Sequence, residues 1–240
     1  MIEIKGLTVN YPRGDIGKFA AIEQISFRAD DGEITVIVGP SGCGKTTILK
    51  AIAGLLSMAE GKILMDGNDI AGLDTKDRNL AMVSQNFVLY PNMTVYDNIA
   101  MPLRVAKTPP AETDQRVKEV AEMLEIEWLL SRKPGKLSSG QQQRVAIARA
   151  VVKRPSLYLF DEPFGNLHTE LRDKMQHELL QLKKVLDAPM LFVTHDRREA
   201  MLLADKLIVM TKGAIKQQGK PLDIYHHPVD EEVRALICGE

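Results

Sequence analysis

Residues 39–47, with the sequence GPSGCGKTT, constrain the fold of this chain more than any other feature, because such a loop requires a strand before it and a helix after it. An apolar, β-branched run at 34–38 precedes the loop, and a helical pattern over 46–56 follows it. The glycines let the backbone wrap a phosphate chain, with N–H groups pointing inward at the helix start, where the dipole favours anions. The sequence therefore predicts a site for a nucleoside triphosphate.

The side chains of this loop predict two separate contacts. The ammonium group of Lys45 can reach the β- and γ-phosphates, and the hydroxyl of Thr46 can ligate Mg²⁺. A chance glycine loop is the alternative, and the strand and helix on either side of the loop disfavour it. Kinases, GTPases and motors share the pattern, so it does not specify the reaction. The candidate nucleotide-binding residues are Gly39, Pro40, Ser41, Gly42, Cys43, Gly44, Lys45, Thr46 and Thr47.

The rest of the chain alternates short apolar runs with helical patterns. The runs at 157–160, 190–193 and 207–210 are typical of strands buried on both faces. Because helical segments separate them, they indicate a mainly parallel α/β sheet. The first part of the chain differs, since its runs favour a small antiparallel sheet. That sheet is predicted from residues 2–9, 22–28 and 62–65.

The strand signal fades in the middle of the chain. Residues 113–130 place apolar side chains at helical spacing, and a second helix is predicted over 141–152. This region indicates a helical subdomain inserted into the α/β core. We predict one domain over 1–240, with 1–85 and 156–240 forming the core and the antiparallel sheet, and about 86–155 forming the helical subdomain.

Composition narrows the classes of protein to which the chain can belong. Its 240 residues suffice to bury a large core, and its two cysteines, Cys43 and Cys238, are too few for a disulfide framework. A net charge of -1 with 45% hydrophobic residues argues against a disordered tail and a strongly basic nucleic-acid binder. No segment offers about 20 predominantly apolar residues, and the N-terminus lacks the apolar core of a signal peptide. We expect a soluble protein without a nucleic-acid partner that acts at a membrane only through another subunit.

Two carboxylates, Asp161 and Glu162, follow the buried run at 157–160. In an open α/β sheet, an acid at the carboxyl end of such a strand lies beside the phosphate loop. We expect Asp161 to hold Mg²⁺, directly or through water, and Glu162 to polarise the attacking water as general base. The alternative, that an acid here merely caps the following loop, stays open for Glu162.

Residues 137–144, LSSGQQQR, resemble the signature sequence of ATP-binding cassette (ABC) ATPases, which usually reads LSGGQ. The phosphate loop upstream and the acid pair downstream make this resemblance specific, and it covers essentially the whole chain. Physically, Ser138 can cap a following helix, whose N–H groups and dipole favour an anion. The resemblance implies that this segment binds the γ-phosphate of ATP held by an opposite subunit, so that two cassettes enclose two nucleotides head to tail. The residues concerned are Ser138, Ser139, Gly140 and Gln141.

Three further positions match the family residue by residue. Gln85 resembles the glutamine that contacts Mg²⁺ or water, and His195 resembles the switch histidine that contacts the γ-phosphate. Tyr11 resembles the aromatic residue that stacks on adenine, with an ordinary surface tyrosine as the alternative. The implied fold is a P-loop NTPase core of RecA-like type with the two subdomains described above. The implied catalytic residues are Lys45, Gln85, Glu162 and His195, and the implied metal ligands are Thr46, Gln85 and Asp161.

Two positions depart from the family pattern. Ser139 stands where the signature usually has glycine, which adds a side chain near the expected phosphate contact. His168 ends the segment 165–168, where the family usually ends in aspartate. This imidazole offers no carboxylate across the dimer interface.

The resemblance implies the ATPase subunit of an ABC transporter, with ATP and Mg²⁺ as cofactors. ATP binding would close a dimer and hydrolysis would reopen it, which would drive separate membrane-spanning subunits. Residues 86–99 resemble the stretch that lines the groove for a coupling helix of the membrane subunit, with packing inside the helical subdomain as the alternative. Residues 217–221 and 224–228 resemble the C-terminal segment of bacterial and archaeal import ATPases.

The implied partners are a second copy of the chain or a homologous cassette, transmembrane permease subunits, and an extracytoplasmic substrate-binding protein. The implied location is peripheral, at the cytoplasmic face of the cell membrane. Because such import ATPases often continue into a regulatory domain, we expect a short or truncated member of the group. Two alternatives stay open: a soluble ABC ATPase of DNA repair or translation, and a regulatory module that scarcely hydrolyses ATP.

Overall fold

The N-terminal part of the chain forms a four-stranded antiparallel sheet with the strand order β2-β1-β4-β5. The structure is a computed structural model, and it describes residues 1–12, 18–165 and 167–239. Alternating apolar residues of these strands turn inward, as Ile2 and Ile4 show by their nearly complete burial. The predicted antiparallel sheet is thereby confirmed. Its strands are β1 (Ile2–Pro12), β2 (Lys18–Ala29), β4 (Glu60–Met65) and β5 (Asn68–Asp69).

The second sheet has six strands in the order β10-β9-β3-β8-β7-β6. All neighbouring strands are parallel except β10, which pairs antiparallel with β9 at one edge. The expected mainly parallel sheet is therefore confirmed. Its strands are β3 (Ile34–Val38), β6 (Leu80–Ser84), β7 (Leu157–Asp161), β8 (Met190–Thr194), β9 (Lys206–Thr211) and β10 (Ala214–Gly219).

Both faces of the second sheet are buried, which explains why its central strands are apolar at nearly every position. Phe160 and Phe192 turn to one face, where they belong to a core shared with the helices. Leu159 and Leu191 turn to the other face, where they belong to a core shared with the antiparallel sheet. The six-stranded sheet thus lies between two apolar layers, and its strand ends form the rigid edge on which loops are displayed.

The helices differ from the predicted ones mainly at their ends. The helix predicted over 113–130 begins at Pro110 and ends at Met123, since Glu125 has a left-handed φ of 55°. The helix predicted over 46–56 ends at Ile52, shortly before Gly54 with φ 74°. The helices are α1 (Lys45–Ile52), α2 (Val95–Val105), α3 (Pro110–Met123), α4 (Ser139–Val151), α5 (Thr169–Lys183), α6 (Arg197–Leu203), α7 (Pro221–His226) and α8 (Glu231–Ile237), with 3-10 turns at Thr75–Asp77, Glu127–Leu129 and Pro134–Lys136.

The middle of the chain is helical, as expected, and α2 packs against both α3 and α4. Buried Asn98 in α2 secures the preceding segment, because its Oδ1 accepts from the Tyr90 N–H at 2.8 Å and its Nδ2 donates to the Tyr90 carbonyl at 3.1 Å.

In the described ranges, no helix has both the length and the apolar character that crossing a bilayer would require.

The strand register brings four loops to one edge of the six-stranded sheet. Val38 at the end of β3 lies opposite Thr194 at the end of β8. Asp161 at the end of β7 lies opposite Val193 on one side and Ser84 on the other. The loops that follow β3, β8, β7 and β6 therefore meet at the same level, and these loops carry most of the candidate site.

Candidate nucleotide-binding site

The phosphate loop is shaped by glycines that no other residue could replace without displacing the backbone. Gly44 precedes α1 with φ 104°, and a Cβ there would lie 2.4 Å from Cγ2 of Ile22 and 2.9 Å from the Ala21 carbonyl oxygen. A Cβ on Gly39 would lie 2.1 Å from the Met210 carbonyl oxygen. Among the described residues no side chain caps the start of α1, so its amide groups and the positive end of its dipole face the loop.

Lys45 holds its charge over the loop. It is 5% exposed, and its ammonium group donates to the carbonyls of Gly39 at 2.8 Å and Pro40 at 3.0 Å. A buried ammonium group must keep such partners, because its desolvation is otherwise costly. Both partners belong to the loop itself, so the charge lies where a phosphate wrapped by this loop would meet it.

Thr46 and Asp161 come together although they are far apart in the sequence. The Thr46 hydroxyl donates to Oδ1 of Asp161 at 2.8 Å. Burial raises the pKa of Asp161, and the Thr46 hydrogen bond opposes that shift. A hydroxyl and a carboxylate side by side form the oxygen donor set that Mg²⁺ prefers in nucleotide sites. The residues present therefore fit a magnesium ion.

Glu162 and His195 form a pair at the adjacent strand ends. Nδ1 of His195 lies 2.8 Å from Oε2 of Glu162. The Glu162 N–H donates to the Val193 carbonyl at 3.0 Å, and its backbone takes a left-handed φ of 46° that turns the chain away from the sheet. The Glu162 side chain is 19% exposed and that of His195 is 55% exposed, so the pair opens toward solvent beside the loop.

Gln85 and Tyr11 lie on two further elements around this edge. Gln85 follows β6, and its Nε2 lies 3.2 Å from the point that a Cβ on Gly165 would occupy, which places the amide beside the loop after Glu162. Tyr11 lies next to the end of β1 and is 37% exposed. Its strand pairs with β2, and a later part of β2 packs on the phosphate loop. Residues 13–17, which separate Tyr11 from that part of β2, lie outside the described residues.

The segment LSSGQ begins helix α4. Ser138 is the N-cap: its Oγ accepts from the Gln141 N–H at 3.4 Å, and the Ser138 N–H donates to Oε1 of Gln141 at 3.0 Å. This reciprocal pair is a capping box. Ser139 is exposed at the first helical position, whereas Gly140 is buried, and a Cβ there would lie 2.7 Å from Cδ2 of Leu171 in α5. The predicted helix cap is confirmed.

Comparison with known proteins identifies the family. The sequence model of the family described as ABC transporter matches residues 22–165, more than half of the chain. This chain belongs to the ABC transporter family. Its six-stranded mainly parallel sheet, antiparallel sheet and helical part are the expected α/β P-loop cassette fold.

Relatives of this ABC chain include import ATP-binding proteins. It is 46% identical over 236 residues to the sn-glycerol-3-phosphate import ATP-binding protein UgpC of Psychromonas ingrahamii, covering 98% of this chain and 62% of that protein. It is 45% identical over 227 residues to the trehalose/maltose import ATP-binding protein MalK of Thermococcus litoralis, covering 92% and 61%. The chain thus spans a little over three-fifths of the length of these relatives.

A solved ABC structure supports the same assignment. The ATP-binding cassette MJ0796, described as a dimer in a post-hydrolysis state bound to ADP and Pi, superimposes with a TM-score of 0.80 at 32% identity. The match covers 92% of this chain and 98% of that one. ATP binding by this chain follows from its membership of the family.

The ABC fold also places residues that the sequence did not single out. Arg172 in α5 and Glu199 in α6 lie beside the strand end that carries His195 and form an ion pair, in which Arg172 also bonds to Asp196 and Glu199 also bonds to Gln176. The signal that a reading of the sequence missed is Asp196, a helix-capping residue directly after His195, followed three residues later by an acid.

Cys43, in the phosphate loop, is buried, and this burial raises the pKa of its thiol.

Proposed function

We propose that this chain is the ATP-hydrolysing subunit of an ABC importer. The observation that carries the proposal is the Glu162–His195 pair at 2.8 Å, at the same sheet edge as the Thr46–Asp161 pair. A general base held by an imidazole beside a phosphate loop is an arrangement for hydrolysis rather than for nucleotide binding alone. It disfavours a regulatory module that scarcely hydrolyses ATP.

The loop 39–47 and the first turn of α1 would bind the triphosphate of ATP. Backbone amides wrap the phosphates, and Lys45 transfers hydrogen bonds from the Gly39 and Pro40 carbonyls to phosphate oxygens. Thr46 and Asp161 would hold Mg²⁺, which when bound neutralises charge on the β- and γ-phosphate oxygens. Tyr11 would stack on adenine, and Gln85 would complete the metal and water contacts.

Hydrolysis then requires a water molecule activated next to the γ-phosphate. Glu162 accepts a proton from this water, whose oxygen bonds to the γ-phosphorus while the bond from that phosphorus to the β–γ bridging oxygen breaks. The products are ADP and inorganic phosphate. His195 orients the Glu162 carboxylate through Nδ1 and presents the rest of its ring to the γ-phosphate.

A second copy of the chain, or a homologous cassette, would complete each site. Ser138, Ser139, Gly140 and Gln141 lie at the start of α4, in the helical part, whereas the phosphate loop belongs to the sheet. Two chains arranged head to tail would let this helix start meet the γ-phosphate held by the partner. The dimeric state described for the MJ0796 cassette supports this arrangement.

The groove between α2, α4 and β6 would receive a helix of the permease subunit. It encloses about 550 Å³, and exposed Tyr90 and Val105 line it together with Arg149. Within residues 86–99, Tyr90 lines this groove, whereas Phe87 is buried in the core and Val88 is 67% exposed. From the relatives' names we infer three further properties. They are import as the direction of transport, a peripheral position at the cytoplasmic face of the cell membrane, and a substrate-binding protein on the other side of that membrane. Those names disfavour a repair or translation ATPase.

The hydrolytic part of the proposal is tested with Glu162→Gln. We expect this variant to bind Mg-ATP but to lose turnover by about 100-fold or more, because the water loses its base. Size-exclusion chromatography with Mg-ATP should show a dimer that persists in the variant. Glu231→Gln, which alters an 89% exposed carboxylate on α8, is the matched control and should behave as wild type. Wild-type turnover in Glu162→Gln would remove the general-base assignment and with it the proposed function.

The membrane part is tested with Val105→Glu, which places a charge in the groove. Co-expressed with its permease subunits, the wild-type chain should sediment with the membrane fraction and the variant should remain in the supernatant. Val185→Glu changes a similarly exposed valine on another face and is the control. Equal membrane recovery of both variants would contradict docking in this groove.

A further inference from the structure

Arg172 connects the two segments that carry Glu162 and His195. It lies in the first turns of α5, just after the loop that follows Glu162. Its Nη2 donates to the carbonyl of Leu167, at the end of that loop, at 3.3 Å. Its Nη1 donates to Oδ2 of Asp196, the residue after His195, at 3.2 Å. One rigid guanidinium group therefore touches both segments.

The far side of this contact fixes the backbone around His195. The Thr194 hydroxyl donates to Oε2 of Glu199 at 2.7 Å and accepts from the Asp196 N–H at 2.9 Å. Oδ1 of Asp196 accepts from the Arg198 N–H at 2.8 Å, which caps α6. The residues on both sides of His195 are thereby held by hydrogen bonds, which fix the backbone position from which the imidazole reaches Glu162.

Buried charge ties these contacts to Arg172. Glu199 is 4% exposed, and its Oε1 lies 3.7 Å from Nε of Arg172 and accepts from Nε2 of Gln176 at 3.3 Å. Burial raises the pKa of Glu199, and the positive charge of Arg172 opposes this shift. A buried carboxylate that loses its cation is strongly destabilised, so Glu199 keeps the charge of Arg172 beside it.

The guanidinium is not fully satisfied in this arrangement. Nε of Arg172 is buried, yet within the described residues it makes no hydrogen bond. At 3.7 Å from Glu199, it lies just beyond hydrogen-bonding distance. A small displacement of α5 toward α6 would form this bond, and the same displacement would carry the Leu167 carbonyl with it. The contact thus has a second arrangement within reach.

We infer that Arg172 is a positioning residue for ATP hydrolysis, which couples the backbone at Leu167 to the segment of His195 and so sets the contact between His195 and Glu162. The inference rests on the proposed function, because it assigns Arg172 to the same reaction. Arg172 would touch neither nucleotide nor water. It would act through Asp196 and Glu199.

The first readout is the state of the His195 ring. The chain has five histidines, and in its ¹⁵N-histidine NMR spectrum the ring signals of His195 would be assigned from their absence in His195→Gln. In Arg172→Met we expect the His195 ring signals to move toward their position in Glu162→Ala, where the ring has lost its partner. Arg198→Met, which removes an exposed guanidinium from α6, is the control and should leave them unchanged.

The second readout is the division of the effect between kcat and KM. Arg172→Met should lower kcat about 10- to 100-fold, because misplaced catalytic groups lose rate, while KM for ATP changes less than about twofold. Arg172→Lys keeps the positive charge and a hydrogen-bond donor, so its His195 ring signals and its kcat should lie between those of Arg172→Met and the wild type. If Arg172→Met does not fold, Arg172→Lys is judged by the same criteria. Unchanged His195 signals, or KM and kcat altered in equal measure, would overturn the inference. The NMR comparison requires no ATP turnover, so it tests the inference about Arg172 alone. The proposed function is tested separately, and it fails if Glu162→Gln hydrolyses ATP like the wild type.

Discussion

Arg78 carries a buried charge that is bonded to backbone rather than to a carboxylate. It is 6% exposed, and its guanidinium donates to the carbonyls of Ala51 at 3.0 Å and Ile52 at 2.8 Å, in the last turn of α1. Two further bonds reach the carbonyls of Leu73 at 3.0 Å and Ala71 at 2.7 Å. A cation at the C-terminal end of a helix is favoured by the helix dipole, so Arg78 fixes the end of the helix that begins at the phosphate loop.

The substitution Arg78→Met keeps most of the aliphatic volume and removes all four hydrogen bonds. Hydrogen bonds to charged groups contribute about 1.5–3 kcal/mol each. The net loss of stability is smaller than this sum, because burial of the Arg78 charge is itself unfavourable, as its lowered pKa shows. Methionine is uncharged and avoids this penalty. The Ala51 carbonyl also keeps its bond from the Gly54 N–H at 3.0 Å. We therefore expect the free energy of unfolding to fall by about 3–4 kcal/mol.

Urea denaturation followed by circular dichroism measures this loss. Arg28→Met is the matched control, because Arg28 is 57% exposed and pairs only with exposed Asp30 at 2.5 Å among the contacts described. The control should lose less than about 0.5 kcal/mol. ATP affinity should change less than about threefold in both, since the proposed phosphate contacts of α1 lie at its other end. A loss below about 1 kcal/mol in Arg78→Met, or one equal to the control, would refute this reasoning.

Three other substitutions test separate parts of the structure. Gly44→Ala should weaken ATP binding at least about tenfold in a fluorescence titration, because the new Cβ would meet Cγ2 of Ile22 at 2.4 Å; a change under twofold would contradict this. His168 is the N-cap of α5, and within the described residues its side chain makes no capping hydrogen bond. His168→Asp should therefore raise the unfolding free energy by about 1 kcal/mol and Tm by about 2–4 °C, and an unchanged Tm in calorimetry would contradict this. Burial raises the pKa of Tyr158 to about 12, above the value of about 10 in the unfolded chain, so the free energy of unfolding should fall as pH rises from 10 through 12. Tyr158→Phe should lose less stability over this range, and parallel pH profiles of the variant and the wild type would exclude the effect.

The strands of the central sheet could be predicted because burial on both faces leaves an unbroken apolar run. The run at 34–38 has the bounds of β3, and the runs at 157–160 and 190–193 each fall one residue short. The missing residues are Asp161 and Thr194, polar groups that end the strands at the candidate site. Helix ends were predicted less well, since they depend on residues such as Glu125 that take left-handed backbone angles without being glycine.

The contacts within the site could not be predicted from the sequence in the same way. The sequence orders the strands along the chain but not across the sheet, and the His195–Glu162 contact exists because β8 lies between β3 and β7. The residues that hold this contact, Arg172 and Glu199, lie on two helices whose facing sides follow from packing. Their charges, viewed in the sequence alone, are indistinguishable from those of solvated helix faces.

The position of Leu171 relates the two ends of the candidate site to each other. Its Cδ2 would lie only 2.7 Å from a Cβ on Gly140, so the start of α4 and the first turns of α5 touch directly at this point. Arg172, the next residue, turns away from α4 toward Asp196. A displacement of α4 therefore acts directly on the helix that carries Arg172. In the proposed head-to-tail dimer, the nucleotide that meets Ser138 belongs to the partner, whereas the His195 tied to Arg172 belongs to the chain's own site. Contact with the partner's nucleotide and the geometry of the chain's own hydrolytic pair would then depend on one helix.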